Sequence, residues 1–566
     1  MDVIRNKAKE WLDPFFDIAT RNTVTELLTN APEELEECFY KDLEFGTGGM
    51  RGIMGVGTNR INSYTIGKAT LGLAHYLLAQ HPNKSLSVAI AYDCRNRSGE
   101  FAEIAANVLA ANGIKAYLFS ELRPTPVLSY AVRQLNCDAG IVITASHNPK
   151  EYNGYKVYWN DGGQLVYPHD KGVMEAVNDI SSFSEINFQG PDDLIEKIDE
   201  IIDRPYKNAV KQLIDGVDKT DKTIGVVFTS LHGTGITMIP DILNELDYQN
   251  IHLVKDQSKP DGNFPTVESP NPEERSALAK AIALAKETDA DLVLGTDPDA
   301  DRVGLAIKDN NGEWIILNGN QAGSILVNYL LENLDPSLHN SSFVCKTIVT
   351  TDLIEEIASH YKVKCFSTLT GFKYIAQIIK QFEGELSFIG GGEESFGYLV
   401  GDFVRDKDAV ISSVLFTQIA AACKANGITL YDYLLAIYKK HGVYKERLIS
   451  ITKKGKAGLE EIKQMMENYR VNTPKELAGE RVIEFSDYQE SKRLFFPSGK
   501  AQKIDLDRSN VLQFKTDKGS LITVRPSGTE PKIKFYFSVK ETKETDVFNG
   551  LLKAEKHLDN LEKAFV

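Results

Sequence analysis

Short apolar runs that alternate with helical segments are the feature that most constrains the fold of this chain. Runs rich in β-forming residues recur, for example at residues 86–91, 139–143, 224–228 and 291–295, and stretches with helical spacing separate them. Such alternation predicts α/β layers with largely parallel or mixed sheets. A chain of 566 residues is too long for one hydrophobic core. We therefore expect roughly three to five domains of about 100–200 residues each.

Three strand-to-loop junctions share one plan. The sequences IVITASHNP, LVLGTDPDADR and LSFIGGGEESFG, at residues 141–149, 292–302 and 386–397, each join a short apolar strand to a polar loop rich in small residues. In open α/β sheets, ligands bind at the carboxyl ends of the strands. The repeat therefore indicates either three related α/β domains that face one site or unrelated junctions in separate domains.

The two ends of the chain differ from this middle part. Residues up to about Tyr40 have helical spacing without a turn cluster. From about Gly442, short strands such as 521–525 and 532–539 surround a loop, and a helix from about Glu541 closes the chain. We therefore expect a helical N-terminal extension and a separate C-terminal α+β domain. The predicted domains are 1–205, 206–322, 323–445 and 446–566.

The composition excludes several classes of protein. A formal net charge of −15 argues against a broad nucleic-acid surface, because the mean field repels a polyanion. The six cysteines form no C-x-x-C pair, which indicates free thiols in a reducing compartment. The N-terminus lacks the apolar core of a signal peptide, and the apolar run 409–423 is too short to span a bilayer and predicts a buried core helix. We expect a cytoplasmic protein that binds neither nucleic acid nor membrane.

The strongest metal signal is the acidic triplet Asp297, Asp299 and Asp301. In an extended loop these positions point the same way, so their carboxylates converge and repel one another unless a cation is present. All-oxygen ligands select Mg²⁺ or Ca²⁺ rather than zinc. An EF-hand is excluded, because it requires Gly in place of Arg302 and Glu in place of Lys308. The remaining alternative is a solvated acidic turn.

Ser146 is a candidate nucleophile. It lies in the loop 144–149, directly after an apolar run, and His147 follows it. A serine reacts as a nucleophile only when a neighbouring group activates it or when it is stably modified. A hydrolase triad is poorly supported because the G-x-S-x-G elbow is absent. Taken alone, Ser146 is more typical of a turn or cap serine than of a nucleophile.

Two further loops are suited to binding a phosphorylated sugar. RPSGTEP, at residues 525–531, offers an arginine fork, two hydroxyls and backbone N–H groups for a phosphate dianion, or it is a hairpin loop with an exposed arginine. GGEESFG, at residues 391–397, offers carboxylate and hydroxyl acceptors for sugar hydroxyls. The segment 370–373 could add an aromatic wall.

Together and in this order, these loops resemble the α-D-phosphohexomutase superfamily of phosphoglucomutases and phosphomannomutases. TASHNP is similar to the phosphoserine loop, GTDPDADR to the metal loop, GEESFG to the sugar-binding loop and RPSGTEP to the phosphate-binding loop. Further matches are FGTGGMRG (45–52), YDCRNRS (92–98), RPTPV (123–127) and NGYK (153–156). The resemblance runs from Phe45 almost to the end of the chain.

The resemblance implies three α/β domains and a C-terminal α+β domain around a central cleft, each giving one loop. It implies that Ser146 carries a phosphoryl group and that one Mg²⁺ is held by this phosphoserine and the acidic triplet Asp297, Asp299 and Asp301. The catalytic positions that match are Arg51, His147, Lys156 and Arg302, with Lys156 assisting proton transfer. The matching substrate-binding positions are Thr370, Gly371, Glu393, Ser395, Lys407, Arg525, Ser527, Gly528 and Thr529.

The implied activity is that of a phosphosugar mutase. Conversion of glucose 1-phosphate to glucose 6-phosphate, with glucose 1,6-bisphosphate as intermediate and activator, is the leading expectation. Residues 395–398 lack the histidine of enzymes that act on both glucose and mannose phosphates, and 404–408 is similar to glucose-type mutases. The stretch 45–60 resembles a long branch that also contains phosphopentomutases and bisphosphate synthases. Mannose and ribose phosphates are therefore alternative substrates, and we expect a monomer or homodimer.

Two rival functions belong to other classes. A metal-dependent sugar phosphatase would share the acidic triplet but has no need of a separate phosphate anchor at 525–529. A catalytically silent sugar-phosphate sensor would require a damaged Ser146 or a damaged acidic triplet, and both are intact.

Overall fold

The computed structural model describes residues 2–46, 49–214, 219–453, 455–527, 532–541 and 546–565. The chain forms two compact units and passes between them several times. The first unit comprises Met1–Leu317, Ala376–Glu383 and Ser395–Asn426. The second comprises Asn318–Ile375, Gly384–Glu394 and Gly427–Val566.

The first unit begins with the expected helical extension. Its helices are α1 (Asp2–Glu10), α2 (Ile18–Asn30) and α3 (Pro32–Phe39). Trp11 is the centre of an aromatic cluster, stacked on Phe16 at 4.7 Å and edge-on to Phe39 and Tyr64 at 5.6 Å. Aromatic pairs in these geometries stabilise a fold beyond their buried area. Because Tyr64 belongs to the first helix of the following domain, the cluster fixes the extension to that domain.

The first α/β domain contains a mixed six-stranded sheet in the order β1-β5-β4-β2-β3-β6. Its strands are β1 (Gly49–Ile53), β2 (Ser87–Tyr92), β3 (Lys115–Phe119), β4 (Ala139–Ile143), β5 (Tyr152–Trp159) and β6 (Ile195–Ile198). Its helices are α4 (Ser63–Gln80), α5 (Ser98–Ala111), α6 (Thr125–Gln134), α7 (His169–Asn178) and α8 (Glu200–Ile214). All five residues of β4 are buried, as expected for a strand that is covered on both faces.

The second α/β domain places the acidic triplet in the turn between two antiparallel strands. Its sheet has the order β11-β10-β9-β7-β8. The strands are β7 (Val226–Thr229), β8 (Ile251–Leu253), β9 (Leu292–Thr296), β10 (Val303–Lys308) and β11 (Trp314–Leu317), and the helices are α9 (Ile239–Glu245), α10 (Lys255–Ser258) and α11 (Arg275–Glu287). Thr296 on β9 pairs with Val303 on β10, so the loop that carries the triplet is short and anchored at both ends.

The third α/β domain contributes to both units. In the second unit, β12 (Ser342–Thr347) pairs in parallel with both β13 (Lys364–Thr368) and β14 (Ser387–Glu393). The other elements are α12 (Gly319–Glu332), α13 (Leu353–His360), α14 (Phe372–Gln381), β15 (Gly397–Val400), α15 (Ala409–Ala425) and α16 (Leu430–His441). Helix α15 belongs to the first unit and is buried along nearly its whole length, which confirms the expected core helix. Among the described residues, no single helix is long and apolar enough to cross a membrane, although α15 and α16 pass that test as a pair.

The C-terminal domain is an antiparallel sheet with flanking helices. Its strands are β16 (Val443–Thr452), β17 (Glu476–Leu477), β18 (Glu480–Asp487), β19 (Lys492–Phe495), β20 (Lys500–Lys503), β21 (Leu512–Thr516), β22 (Leu521–Pro526) and β23 (Lys532–Glu541). Its helices are α17 (Gly455–Val471) and α18 (Val547–Phe565). The final helix begins at Val547 rather than near Glu541, because Glu541 is still paired with Val443 in the sheet.

The expected fold class, three α/β domains followed by an α+β domain, is confirmed. All six cysteines are unbonded, as expected. The predicted domain limits near residues 205, 322 and 445 fall within α8, α12 and β16, and they stay predictions.

A buried ion pair in the C-terminal domain predicts a pH dependence of stability. His557 on α18 contacts the buried Glu480 and lies 3.4 Å from Glu541. The hydrogen bond with Glu480 raises the pKa of His557 above 6.5. A raised folded-state pKa stabilises the protein fully below the unfolded value, and this contribution is lost as the pH rises through the folded value. We expect the melting temperature of His557→Gln to depend less on pH above 6.5 than that of the wild type. Exposed His75 provides the control variant, His75→Gln.

Candidate active site

Three buried carboxylates converge in the loop between β9 and β10. Asp297, Asp299 and Asp301 are almost entirely inaccessible, and one carboxylate oxygen from each lies within 4.8 Å of the others. The loop is a tight turn rather than the extended segment assumed from the sequence. Ala300 has a φ of 50°, and Asp297 Oδ1 accepts the backbone N–H groups of Asp301 and Arg302 at 3.1 and 3.0 Å. The sequence predicted that the three carboxylates converge. In the structure, Ala300 in the left-handed region and these backbone hydrogen bonds produce the convergence, rather than an extended loop.

The donor set fits a hard divalent cation. Oδ1 of Asp299 and Oδ1 of Asp301 are buried and have no hydrogen-bond partner among the described residues. Buried oxygens of this kind require a donor or a cation. Burial, together with the neighbouring Asp301 and Asp299, raises the pKa of Asp297 well above its usual range. Because the three side chains are buried, the alternative of a solvated acidic turn is wrong. Oxygen-only ligands favour a hard cation, Mg²⁺ or Ca²⁺.

Two lysines lie against the same carboxylates. Lys156 Nζ is 2.8 Å from Asp299 Oδ2 and 3.5 Å from Asp301 Oδ2, and Lys407 Nζ is 3.2 Å from Asp301 Oδ2. Burial acts to lower the pKa of Lys156, but Asp299 and Asp301 outweigh it and hold this pKa above its usual range. Burial likewise opposes ionisation of Asp299, yet Lys156 keeps the pKa of Asp299 low. The two ammonium groups therefore offset part of the negative charge of the triplet.

Ser146 lies directly beside the acidic triplet. Its Oγ donates a hydrogen bond to Asp297 Oδ2 at 2.9 Å and is 3.4 Å from His147 Nδ1. The residue has a φ of 52°, and its backbone N–H donates to Thr144 Oγ1 at 2.8 Å. A non-glycine residue in the left-handed region is uncommon and often occurs at functional sites. An ordinary turn or cap serine would not face a buried cluster of carboxylates, so this position favours a chemical role.

Three more of the expected catalytic residues surround the Ser146 loop. Arg51 on β1 donates to Asn148 Oδ1 at 3.0 Å, and Arg302 forms an ion pair with Glu273 at 2.6 Å. Burial lowers the pKa of His147 well below 6.5, and the charges of Arg302 and Arg51 lower it further. The imidazole of His147 is therefore neutral near pH 7.

The expected substrate-binding residues fall into three groups. Ser395 and Lys407 belong to the first unit, which also contains the acidic triplet. In the second unit, Glu393 Oε1 accepts the backbone N–H of Gly371 at 2.8 Å, which brings Thr370, Gly371 and the sugar-binding loop together. Also in the second unit, Arg525 is on β22, and the backbone N–H of Ser527 donates to Lys532 O at 2.7 Å. Gly528 and Thr529 lie outside the described residues.

Comparison with known sequences matches four consecutive domain models. Those of the phosphoglucomutase/phosphomannomutase α/β/α domains I, II and III match residues 42–183, 204–312 and 318–441, and the C-terminal domain model matches 457–548. A phosphoglucomutase of Staphylococcus haemolyticus (strain JCSC1435) is 40% identical over 522 residues, which cover 91% of this chain and 94% of that protein. The chain belongs to the phosphoglucomutase/phosphomannomutase family.

A further relative and two solved structures are similar to this chain. A phosphoglucomutase of Staphylococcus aureus (strain MRSA252) is 41% identical over 510 residues, covering 90% of this chain and 91% of that protein. Parafusin, a phosphoglucomutase of Paramecium in its open form, shares the fold with a TM-score of 0.69 at 17% identity, covering 92% of this chain and 95% of that one. A family protein of Burkholderia thailandensis gives a TM-score of 0.64 at 18% identity, covering 92% and 96%. Helices α1–α3 precede the first matched residue of the domain I model.

Sequence reasoning missed the residue that holds the Ser146 loop. Arg95 is buried, and its guanidinium donates to three carbonyl oxygens of that loop, those of Ser146, Asn148 and Pro149, and to the carbonyl oxygen of Tyr152 at the start of β5. Asp93 accepts the backbone N–H of Arg95 and the hydroxyls of Ser98 and Thr144, at 2.9, 2.8 and 2.7 Å.

A signal for Arg95 was available in the sequence. YDCRNRS was recognised as a family motif, but no role was assigned to its residues. Asp93 and Arg95 follow β2 directly, just as Ser146 follows the parallel neighbour β4. Charged residues at the carboxyl ends of adjacent parallel strands meet at one edge of the sheet. This placement could have identified Arg95 as a residue near the Ser146 loop.

Proposed function

We propose that this family member interconverts glucose 1-phosphate and glucose 6-phosphate and that Ser146 carries the phosphoryl group. The observation that carries the proposal is the hydrogen bond of 2.9 Å between Ser146 Oγ and Asp297, in a cluster that also contains Lys156 and Lys407. A nucleophilic oxygen beside cation-binding carboxylates and ammonium groups is suited to phosphoryl transfer, which depends on positioning and charge neutralisation. Relatives about 40% identical over more than 90% of the chain are named phosphoglucomutase, which supports glucose phosphates as substrates.

The cation site contributes charge rather than covalent chemistry. Asp297, Asp299, Asp301 and the phosphate on Ser146 would hold one Mg²⁺, which when bound supplies positive charge to the phosphoryl oxygens. Arg51, Lys156 and Arg302 add cationic groups around the Ser146 loop. These groups offset the negative charge of the equatorial phosphoryl oxygens in the transition state. His147, neutral by its lowered pKa, can exchange a hydrogen bond with Ser146 Oγ. The role of Lys156 in proton transfer stays a prediction.

The reaction consists of two successive phosphoryl transfers, and the second restores the phosphoserine that the first consumes. In the first, the P–O bond to Ser146 Oγ breaks and a bond from phosphorus to the free sugar hydroxyl oxygen forms. The proton of that hydroxyl passes to a nearby base, and the leaving Ser146 Oγ takes up a proton. Glucose 1,6-bisphosphate is then the intermediate, and it also serves as activator for unphosphorylated enzyme. In the second, Ser146 Oγ loses its proton and bonds to the phosphorus of the other phosphate of this intermediate. The P–O bond from that phosphate to the sugar breaks, and the leaving sugar oxygen takes up a proton.

Recognition of the substrate must tolerate both orientations of the sugar phosphate. Thr370, Gly371, Glu393, Ser395 and Lys407 are proposed to bind the sugar. The non-reacting phosphate is proposed to bind Arg525, Ser527, Gly528 and Thr529, where an arginine fork matches a phosphate dianion. The lack of a histidine at 396–398 favours glucose over mannose phosphates. Phosphomannomutase and phosphopentomutase activities are the alternatives.

The test is ³¹P NMR of the protein with Mg²⁺, glucose 1-phosphate and catalytic glucose 1,6-bisphosphate. Conversion to glucose 6-phosphate without inorganic phosphate is the expected result. Inorganic phosphate as the main product would instead identify a metal-dependent sugar phosphatase. No change with glucose 1-phosphate, but turnover of mannose 1-phosphate or ribose 1-phosphate, would reassign the substrate within the family.

Arg95→Lys is expected to reduce kcat by about 10- to 100-fold with a smaller change in KM, because misplacing the Ser146 loop weakens positioning of the nucleophile. A single ammonium group cannot replace a guanidinium that donates to four carbonyl oxygens. Steady-state kinetics and thermal unfolding measure the effect. Arg97→Lys is the matched control, because Arg97 belongs to the same motif but pairs with Glu100 at the surface. Equal kinetics for the two variants would contradict the role of Arg95.

A further inference from the structure

The two consecutive glutamates of the sugar-binding loop have different partners. Glu393 accepts the backbone N–H of Gly371. Glu394 instead contacts two threonines, Thr347 at the end of β12 and Thr350 three residues later. Glu394 Oε2 is 3.3 Å from Thr347 Oγ1 and 3.2 Å from Thr350 Oγ1. The two hydroxyls are 2.8 Å from each other, and both threonines are buried. Three oxygens therefore form a closed triangle.

The protonation state of Glu394 decides whether every contact in this triangle can be a hydrogen bond. Two threonine hydroxyls supply two protons, and an ionised carboxylate supplies none. With Glu394 ionised, three O···O contacts must share two protons. With Glu394 protonated, each contact receives its own proton, and the cycle is complete. The geometry thus favours the neutral acid.

The surroundings of Glu394 act in the same direction. Burial and the charge of Glu393 raise the pKa of Glu394 to about 7. A backbone hydrogen bond, the hydrogen bond from Thr350 and the charge of Lys534 on β23 oppose this shift without cancelling it. The phenol of Tyr536 and the guanidinium of Arg525 are the other titratable groups on the strands near it. Two carboxylates that share a site cannot both ionise easily, so the charge of Glu393 adds to burial in keeping the proton on Glu394.

Residues 347–350 also pack against β23, the strand next to Arg525, which is the proposed phosphate-binding arginine. Arg525 on β22 is directly opposite Lys534 on β23, and Tyr536 is two residues further along the same face. The charges of Glu394 and of Arg525 both act on the phenol of Tyr536, in opposite directions. The Tyr536 ring packs in one hydrophobic cluster with Ile348 and Val349, the residues between the two threonines.

We propose that Glu394, as the protonated acid, is a positioning residue that couples the sugar-binding loop to Arg525 through residues 347–350 and Tyr536. This proposal rests on the proposed function, because it assumes that the two loops bind the sugar and the phosphate of one substrate. The triangle fixes the loop to residues 347–350, and the ring of Tyr536 fixes those residues to the strand beside Arg525. The sugar-binding loop and Arg525 are thus held at a fixed separation before the sugar phosphate binds. Less conformational entropy is therefore lost on binding.

The kinetic test compares Glu394→Gln with Glu394→Ala over the range from about pH 5.5 to 9. Gln supplies the N–H donors of a neutral group and is expected to stay within about threefold of the wild-type kcat and KM at pH 6, since neutral hydrogen bonds are exchanged one for another. Ala leaves both threonines without this partner and is expected to raise KM about tenfold with a smaller fall in kcat. Above pH 7 the wild type should show a rise in KM that Glu394→Gln lacks.

Three further variants distinguish the proposed positioning role of Glu394 from a general loss of structure. Glu385→Gln, at an exposed glutamate before β14, should leave kinetics unchanged. Tyr536→Phe removes the hydroxyl on the strand beside Arg525 and should raise KM without changing the pH dependence. If Glu394→Ala does not fold, Thr350→Val opens the same triangle with a side chain of equal size. A loss in Glu394→Gln equal to that in Glu394→Ala, or an unchanged pH dependence in Glu394→Gln, would overturn the proposal.

A stability measurement keeps this test independent of the assigned reaction. Because the pKa of Glu394 is raised on folding, the stability that it contributes is present below its ordinary value of about 4.5 and is lost as the pH rises through about 7. The melting temperature of the wild type should therefore fall relative to that of Glu394→Gln between these pH values. If the wild type proves inactive on every sugar phosphate tested, the proposed function fails, while this comparison still decides whether Glu394 is held as a neutral acid.

Discussion

Ser146→Ala is expected to abolish turnover, with a fall in kcat of more than about 10⁴-fold, because loss of a catalytic nucleophile removes the covalent route altogether. The hydroxyl oxygen is 2.9 Å from Asp297 Oδ2, and no other serine or threonine among the described residues is hydrogen-bonded to that carboxylate. The measurement is the rate of sugar-phosphate interconversion, together with intact-protein mass spectrometry after incubation with glucose 1,6-bisphosphate. The wild type should gain a phosphoryl group and the variant should not.

The same variant should remain folded. Removing one neutral hydroxyl that donates a single side-chain hydrogen bond changes the free energy of unfolding by only about 0.5–1.5 kcal/mol. Ser184→Ala, at an exposed serine of the first unit, is the matched control and should keep full activity. Phosphorylation of Ser146→Ala at another residue, with turnover retained, would show that a different group carries the phosphoryl.

Asp299→Asn is expected to lower kcat by at least about 100-fold, because a neutral amide replaces one of three charges that stabilise a bound cation. The new amide also faces Lys156, whose Nζ is 2.8 Å from Asp299 Oδ2 in the wild type, so an ion pair is lost as well. Activity measured over a Mg²⁺ titration should show a much higher half-saturating concentration. Asp289→Asn, at an exposed acid that pairs with Lys308, is the control and should behave as the wild type.

Binding of the cation can also be measured without activity. A ligand that binds only the folded state raises the melting temperature, and the rise at a given ligand concentration is larger when the binding is tighter. Mg²⁺ should therefore raise the melting temperature of the wild type and of Asp289→Asn, and raise that of Asp299→Asn much less. An equal Mg²⁺-dependent rise in all three proteins would mean that the acidic triplet is not the cation site.

The sequence predicted the local features of this protein well. The alternation of strands and helices, the buried core helix at 409–425 and the helical extension all follow from periodicity and polarity within single segments. The acidic triplet was identified correctly as a convergent set, although the reason differs. A turn with Ala300 in the left-handed region brings the carboxylates together, and backbone conformation of this kind has no clear signature in an alanine.

The family resemblance extended these predictions to residues whose neighbours are distant in sequence. It indicated Lys156 and Lys407 as parts of one site, and both lysines do contact the acidic triplet. It assigned no role to Arg95 or Glu394, because matching a motif does not reveal which atoms a side chain contacts. Both are explained by hydrogen-bond partners that only the folded chain supplies.

What the sequence by itself determined is where reactive groups lie along the chain: a serine after β4, three aspartates after β9 and two glutamates at the end of β14. Only the tertiary structure decided that Ser146 Oγ meets Asp297 across 151 residues and that Arg95 holds the Ser146 loop. The physical reason is that local periodicity selects helices and strands through short-range contacts. Contacts between distant segments depend instead on how whole sheets and helices pack, which no single segment encodes.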